Sequence, residues 1–302
     1  MSSNNKENNR ATIAELVARS GSKERGLFQT APAVEQPIEA ATPAAPVSTS
    51  VTVLETLRDQ DMLVAGSRLG PGFSDEYRRI KRPLLSNAFG KSASLVERGN
   101  LVLVTSSVPG EGKTHTAVNL ALSIAQERDH TVLLMDCDVT RKGISHMLNL
   151  AEKPGLVELL EDDNLSVGDV LLRTDIPQLT VLCAGKQHDF VTELLASQRM
   201  SALVNEIATR YDDRVIILDG PPLLPTPQTQ VLASLVGQIV FVIEAGKTPQ
   251  AVVEEALALI PEEKAAGVVL NKSEGVFERS GYYYGYYGTN QEKDGNKGKR
   301  KR

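Results

Sequence analysis

The chain has 302 residues, 41% hydrophobic and 24% charged, with a formal net charge of -5. These values exclude a collagen-like, disulfide-scaffold or wholly disordered protein and point to a soluble globular chain of one or two domains. The mild acidity argues against nucleic acid as the main partner, the absence of any run of about 18 apolar residues predicts no membrane span, and Cys137 and Cys183, set in apolar runs, favour a reduced compartment.

No basic, then apolar, then small-residue pattern opens the chain, so a secretory leader is not expected. Thr12 to Phe28 offers a short helical pattern with Ile13, Leu16 and Val17 on one side. Residues 31–50 hold six Ala and four Pro with almost no charge. Such a stretch cannot bury enough surface to offset the entropy of ordering and reads as a linker. Residues 1–65 are therefore expected to be flexible. Within SDEYRRIKR, Glu76, Arg79 and Arg82 fall at i, i+3 and i+6, one face of a helix.

From about residue 70 the pattern becomes short β-branched and leucine runs separated by helical segments, the mark of βαβ units. Strands are expected at Leu101 to Thr105, Val132 to Asp136, Leu179 to Leu182, Val215 to Asp219, Ile239 to Ile243 and Val268 to Leu270. Helices are expected at Thr114 to Glu127, Phe190 to Arg210 and Thr248 to Leu259. Strands that read as continuous apolar runs are buried on both faces. The expected fold class is therefore α/β: a P-loop NTPase with a doubly wound, mostly parallel sheet flanked by helices, spanning residues 66–275.

The first strand runs into SSVPGEGKT, most of a phosphate-binding loop followed at once by a helix. Glycines let the backbone amides turn toward phosphates, Lys113 reaches the terminal phosphates, and the Thr114 hydroxyl coordinates Mg²⁺. Ser107 stands where the loop's first glycine is usual. Pro109, Gly110, Glu111, Gly112, Lys113, Thr114 and His115 form the expected nucleotide-binding stretch. Asp136 and Asp138 close one apolar strand and Asp219 closes another. A parallel sheet binds ligands beyond the carboxyl ends of its strands, so these acids should converge on the phosphates, holding Mg²⁺ or taking a proton from an attacking hydroxyl. Asn271 ends the last strand, placed to hydrogen-bond a base or to serve as a plain turn residue. No GxSxG is present, and His115, His130, His146 and His188 lack metal-ligand spacing.

After Asn271 the pattern stops. Residues 276–302 hold a tyrosine and glycine strip, with five of the chain's seven tyrosines at Tyr282, Tyr283, Tyr284, Tyr286 and Tyr287, and then a basic tail. The strip reads either as a sticky low-complexity tail or as a set of acceptors.

Together these motifs resemble the bacterial tyrosine kinases, P-loop autokinases that control exopolysaccharide synthesis and export, over about residues 70–288. Arg141 follows Asp138 by three positions rather than the commoner two, and Gly220 replaces the usual Ser or Thr. The wider spacing, with VLASLVGQIVFVIEAGKTPQ, resembles the branch tied to exosortase-associated polysaccharide loci. The resemblance implies a non-specific protein-tyrosine kinase using ATP and Mg²⁺. In it Lys113 stabilises the transferring phosphoryl group, Asp136 orients or deprotonates the phenol, and Asp138 and Asp219 manage the metal with Thr114. It further implies that the five strip tyrosines are phosphorylated in trans, and that Glu76, Arg79 and Arg82 mediate ring-like self-assembly. A separate membrane chain-length-determinant (co-polymerase) protein would recruit the cytoplasmic chain to the inner face of the cell membrane.

Two other readings compete. A nucleotide-switched scaffold ATPase of the partitioning type resembles this chain in its P-loop, but Val108 and Pro109 stand where that group carries a lysine. An adaptor that binds ATP only to assemble would carry no phosphotyrosine.

Overall fold

The computed structural model describes residues 49–273 apart from residues 66 and 70. Strand β1 (Thr49–Val51) and helix α1 (Leu54–Asp59) come first, then α2 (Pro71–Phe89). Next come β2 (Leu101–Ser106), α3 (Lys113–Ile124), β3 (Thr131–Asp136), α4 (Gly143–Met147), α5 (Leu156–Glu161), α6 (Val167–Val170) and β4 (Leu172–Thr174). The remainder is β5 (Leu179–Leu182), α7 (Val191–Leu195), α8 (Gln198–Thr209), β6 (Arg214–Asp219), α9 (Gln228–Leu235), β7 (Gln238–Glu244), α10 (Gln250–Leu257) and β8 (Ala265–Asn271).

Among the described residues the strands form one eight-stranded sheet in the order β1-β4-β5-β3-β6-β2-β7-β8. Every neighbouring pair is parallel except β4 with β5. The expected doubly wound, mostly parallel sheet is therefore present. Its centre follows from the period of two in strand side chains. Val102, Val104, Val132, Leu134, Val215 and Ile217 pack toward α1, α2 and α3. The intervening Leu101, Leu103, Leu133, Met135, Ile216 and Leu218 pack toward α5, α8 and α9. Among the described residues no helix closes over β8 in the same way: Val268 is 54% exposed and Leu270 64%.

Two expectations need correction. Residues 1–65 were expected to be flexible, yet β1 pairs with β4, and Val53 and Leu57 are completely buried. The Asp175 carboxylate accepts hydrogen bonds from the Val53 and Leu54 amides at 2.8 and 3.2 Å, capping the entry to α1. The β-branched run TSVTV, at the end of the Ala/Pro stretch, supplies a short strand whose partner lies more than a hundred residues away in the chain. Secondly, Phe190 to Arg210 is not one helix. It breaks at Ser197, whose hydroxyl accepts from the Met200 amide at 3.1 Å and caps α8. Residues 1–48 and 274–302, including the expected first helix, most of the Ala/Pro stretch and the tyrosine strip, lie outside the described residues.

Candidate functional site

The strand order sets β3, β6 and β2 side by side. Each of these strands carries one piece of the predicted site at its carboxyl end. The phosphate loop leaves β2, with Gly110 at φ 93° and Gly112 at φ 97°. These left-handed values favour glycine. At Gly112 space adds a second reason, since a Cβ there would lie 2.0 Å from Asn271 Nδ2. Gly112 caps α3, so that helix points its positive end at the loop.

The predicted acids do converge. Asp136 and Asp219 are register partners across β3 and β6. Lys113 Nζ lies 2.9 Å from Asp138 Oδ2 and 3.5 Å from Thr114 Oγ1. Thr114 Oγ1 donates to Asp219 Oδ2 at 2.7 Å. Asp138 Oδ1 accepts from the Arg141 amide at 3.2 Å, so the three-residue spacing closes a turn around the carboxylate. Gly143 abuts the site as well: a Cβ there would come within 2.8 Å of Thr114 Oγ1.

Burial governs the charge of this cluster. It pushes the Asp219 carboxyl up to about 7, against the opposing pull of the Lys113 ammonium. It raises Asp136 to about 6, against hydrogen bonds from Ser145. Asp136 Oδ1 and Asp219 Oδ1 are buried without a hydrogen-bond partner in the described chain. Native interiors rarely leave such atoms unmatched, and these two belong to register partners at adjacent strand ends.

Three residues expected to contact a nucleotide have side chains that make contacts within the chain. The Glu111 carboxylate, 1% exposed, accepts from the Val108 amide at 2.9 Å and from Thr248 Oγ1 at 2.5 Å, bracing the loop against the β7–α10 turn. The His115 ring lies edge-on to Phe73 of α2 with 6.3 Å between centroids, and burial lowers its pKa. Asn271 Nδ2 donates to the Glu111 carbonyl at 2.9 Å, so this side chain underpins the loop rather than standing free for a base. Lys272, which the last strand delivers to this edge beside Asn271, donates to the Gly110 carbonyl at 2.6 Å. Ser145, which sequence reasoning missed, donates to Asp136 Oδ2 through both its amide, at 2.8 Å, and its hydroxyl, at 2.7 Å. Glu76 is half-buried on α2 while Arg79 and Arg82 are exposed. None of the three forms an ion pair with another described residue.

Comparison with known proteins bears on this site. Residues 100–249 match the AAA domain family. The chain is 33% identical over 219 residues to the tyrosine-protein kinase YwqD of Bacillus subtilis, covering 72% of this chain and 86% of that one. It is 31% identical over 212 residues to the tyrosine-protein kinase CpsD of Streptococcus agalactiae, covering 69% and 89%. Among solved structures, the kinase domain of VpsO is 31% identical with a TM-score of 0.54, covering 67% of this chain and 98% of that one.

Proposed function

The chain belongs to the bacterial tyrosine-protein kinases, and on that footing we propose that it transfers the γ-phosphoryl group of ATP to Tyr282, Tyr283, Tyr284, Tyr286 and Tyr287 of a neighbouring copy, in the service of exopolysaccharide synthesis and export. The observation that carries this reading is the meeting of Lys113, Thr114, Asp136, Asp138 and Asp219 at the ends of three adjacent strands. We take residues 49–275 as the kinase domain and 276–302 as the acceptor strip and basic tail.

In the proposed mechanism the amides of Gly110 to Thr114 cradle the phosphates at the amino end of α3, with Pro109, which has no N–H, shaping the turn before them. Lys113 moves from Asp138 to the terminal phosphates and stabilises charge on the group in flight. Because the phosphoryl transition state is loose, catalysis is mainly placement and electrostatics. Asp136 orients the incoming phenol and accepts its proton. A Mg²⁺ ion fits the hard oxygen donors present, Thr114 Oγ1 and Asp219 beside Asp138, with the unpartnered Asp219 Oδ1 as an open ligand position. Bound there with water and phosphate oxygens, it would neutralise phosphate charge.

Glu76, Arg79 and Arg82, unpaired with other described residues, are assigned to contacts between copies in a ring-like homo-oligomer. A separate membrane co-polymerase is the proposed activator, holding the chain at the cytoplasmic face; among the described residues no helix is long and apolar enough to cross a membrane.

Phosphotyrosine blotting of the expressed chain tests the reading. The parent should label, Lys113→Met should not, and a variant with all five strip tyrosines changed to Phe should lose nearly all label. Label surviving in Lys113→Met would exclude self-catalysis, and undiminished label in the five-Phe variant would place the acceptors elsewhere.

A further inference from the structure

We propose that Ser145 is a positioning residue for phosphoryl transfer: by filling one oxygen of Asp136 from two sides, it turns the other oxygen toward the acceptor hydroxyl. This rests on the reading of Asp136 as the group that meets the phenol. Three observations carry it. The Ser145 amide and hydroxyl both donate to Oδ2, at 2.8 and 2.7 Å, while Oδ1 is buried with no partner in the described chain. A carboxylate fixed in this way keeps a single unpartnered oxygen.

The Ser145 hydroxyl is itself held, since its oxygen accepts from the Ala184 amide at 3.1 Å. With a lone pair given to Ala184, its hydrogen is left for Asp136. The end of β5 thus sets the serine, and the serine sets the acid. Thirdly, Ser145 and Asp136 are completely buried, so water cannot take over the serine's part at low cost.

In the step itself the phenol's proton passes to Asp136 Oδ1 and the phenol oxygen bonds to the γ-phosphorus. The bond from that phosphorus to the β,γ-bridging oxygen breaks, ADP leaves with its electron pair, and Asp136 then returns the proton to water. Rotating the carboxylate would misplace the acceptor without disturbing the phosphate loop. Small errors of placement at a reacting centre cost up to about a hundredfold in rate.

The experiment measures steady-state phosphorylation of the full chain's own tyrosines over a range of ATP concentrations. It compares the parent with Ser145→Ala, Ser145→Thr, Asp136→Asn and the Ser145→Ala/Asp136→Asn pair. We expect Ser145→Ala to lower kcat about ten- to a hundredfold with KM for ATP within about twofold of the parent. Ser145→Thr, which keeps the hydroxyl, should recover most of kcat, and the pair should be no slower than Asp136→Asn alone. A Ser145→Ala enzyme with unchanged kcat overturns the inference, as does one whose KM for ATP rises in step with the loss of kcat. If Ser145→Ala fails to fold, Ser145→Thr decides: near-parental kcat supports the hydroxyl's role, and a loss as deep as Asp136→Asn contradicts it. If Asp136→Asn runs at the parental rate, the Asp136 reading fails and this inference with it, whereas an inactive Asp136→Asn beside an unimpaired Ser145→Ala removes only the serine.

Discussion

Glu111 Oε1 accepts a 2.5 Å hydrogen bond from Thr248 Oγ1, fastening the phosphate loop to the turn that follows β7. The same carboxylate holds the Val108 amide, so one buried acid spans the loop it belongs to and a neighbouring element. Removing a partner from a buried charged acceptor costs about 1.5–3 kcal/mol. Thr248→Val is therefore expected to raise the Kd for ATP several-fold, and kcat at saturating ATP should change much less. Titration calorimetry with ATP checks this, and an unchanged Kd would show that the brace does not shape the loop.

Gly112 meets two demands, a left-handed φ and contact with the Asn271 amide. Gly112→Ala should abolish measurable ATP binding and lower stability by about 1–3 kcal/mol through backbone strain. Adding Asn271→Ala relieves the contact but leaves φ unchanged, so the pair should regain only part of the loss. Full recovery in urea melts would mean that the side-chain clash alone matters.

The pH dependence of stability follows from Asp136 and Asp219. Burial raises their carboxyls to about 6 and about 7, from unfolded values near 4. Raised acids bind protons more tightly in the folded state, so the stability they contribute is full below about pH 4 and is lost as pH rises through the folded values. Between pH 5 and 8 the ligand-free protein should lose Tm, and Asp219→Asn, which cannot ionise, should flatten that slope. A nucleotide-free melting series in matched buffers decides, with an equal slope in the variant counting against the assignment.

Leu57 of α1 has no exposed surface. Truncating a fully buried leucine to alanine costs about 2–5 kcal/mol, so Leu57→Ala should lower Tm by several degrees. Were the segment a passive linker, the variant would melt with the parent.

The parts of this molecule that could be read from sequence are those where one short segment contains its own explanation. β2, β3 and β6 are unbroken apolar runs ending in chemistry, and the loop's Gly110, Gly112, Lys113 and Thr114 announce phosphate by their order. What could not be read depends on partners distant in the chain. Thr248 lies 137 residues from Glu111, and Lys272 lies 162 from Gly110. Neither pairing leaves a local trace. β1 was missed because three residues give too short an alternation to register, and their order comes from β4 and Asp175. The expectation for His115 comes from its place next to the loop and that for Asn271 from its place at a strand end; neither signal reveals that packing turns one ring toward α2 and ties the other side chain to the Glu111 carbonyl.

The ion pair between Lys113 and Asp138 means that the site already contains a stand-in for its ligand. On the proposed mechanism ATP would not enter an empty cationic pocket; it would have to win the lysine from a resident anion. Such a competition would cost affinity and would keep the lysine neutralised and ordered while no ligand is bound. Asp138→Asn should accordingly bind ATP more tightly than the parent in Mg²⁺-free buffer while transferring phosphate more slowly when the metal is restored. Equal affinity in the metal-free titration would show that the carboxylate is a spectator.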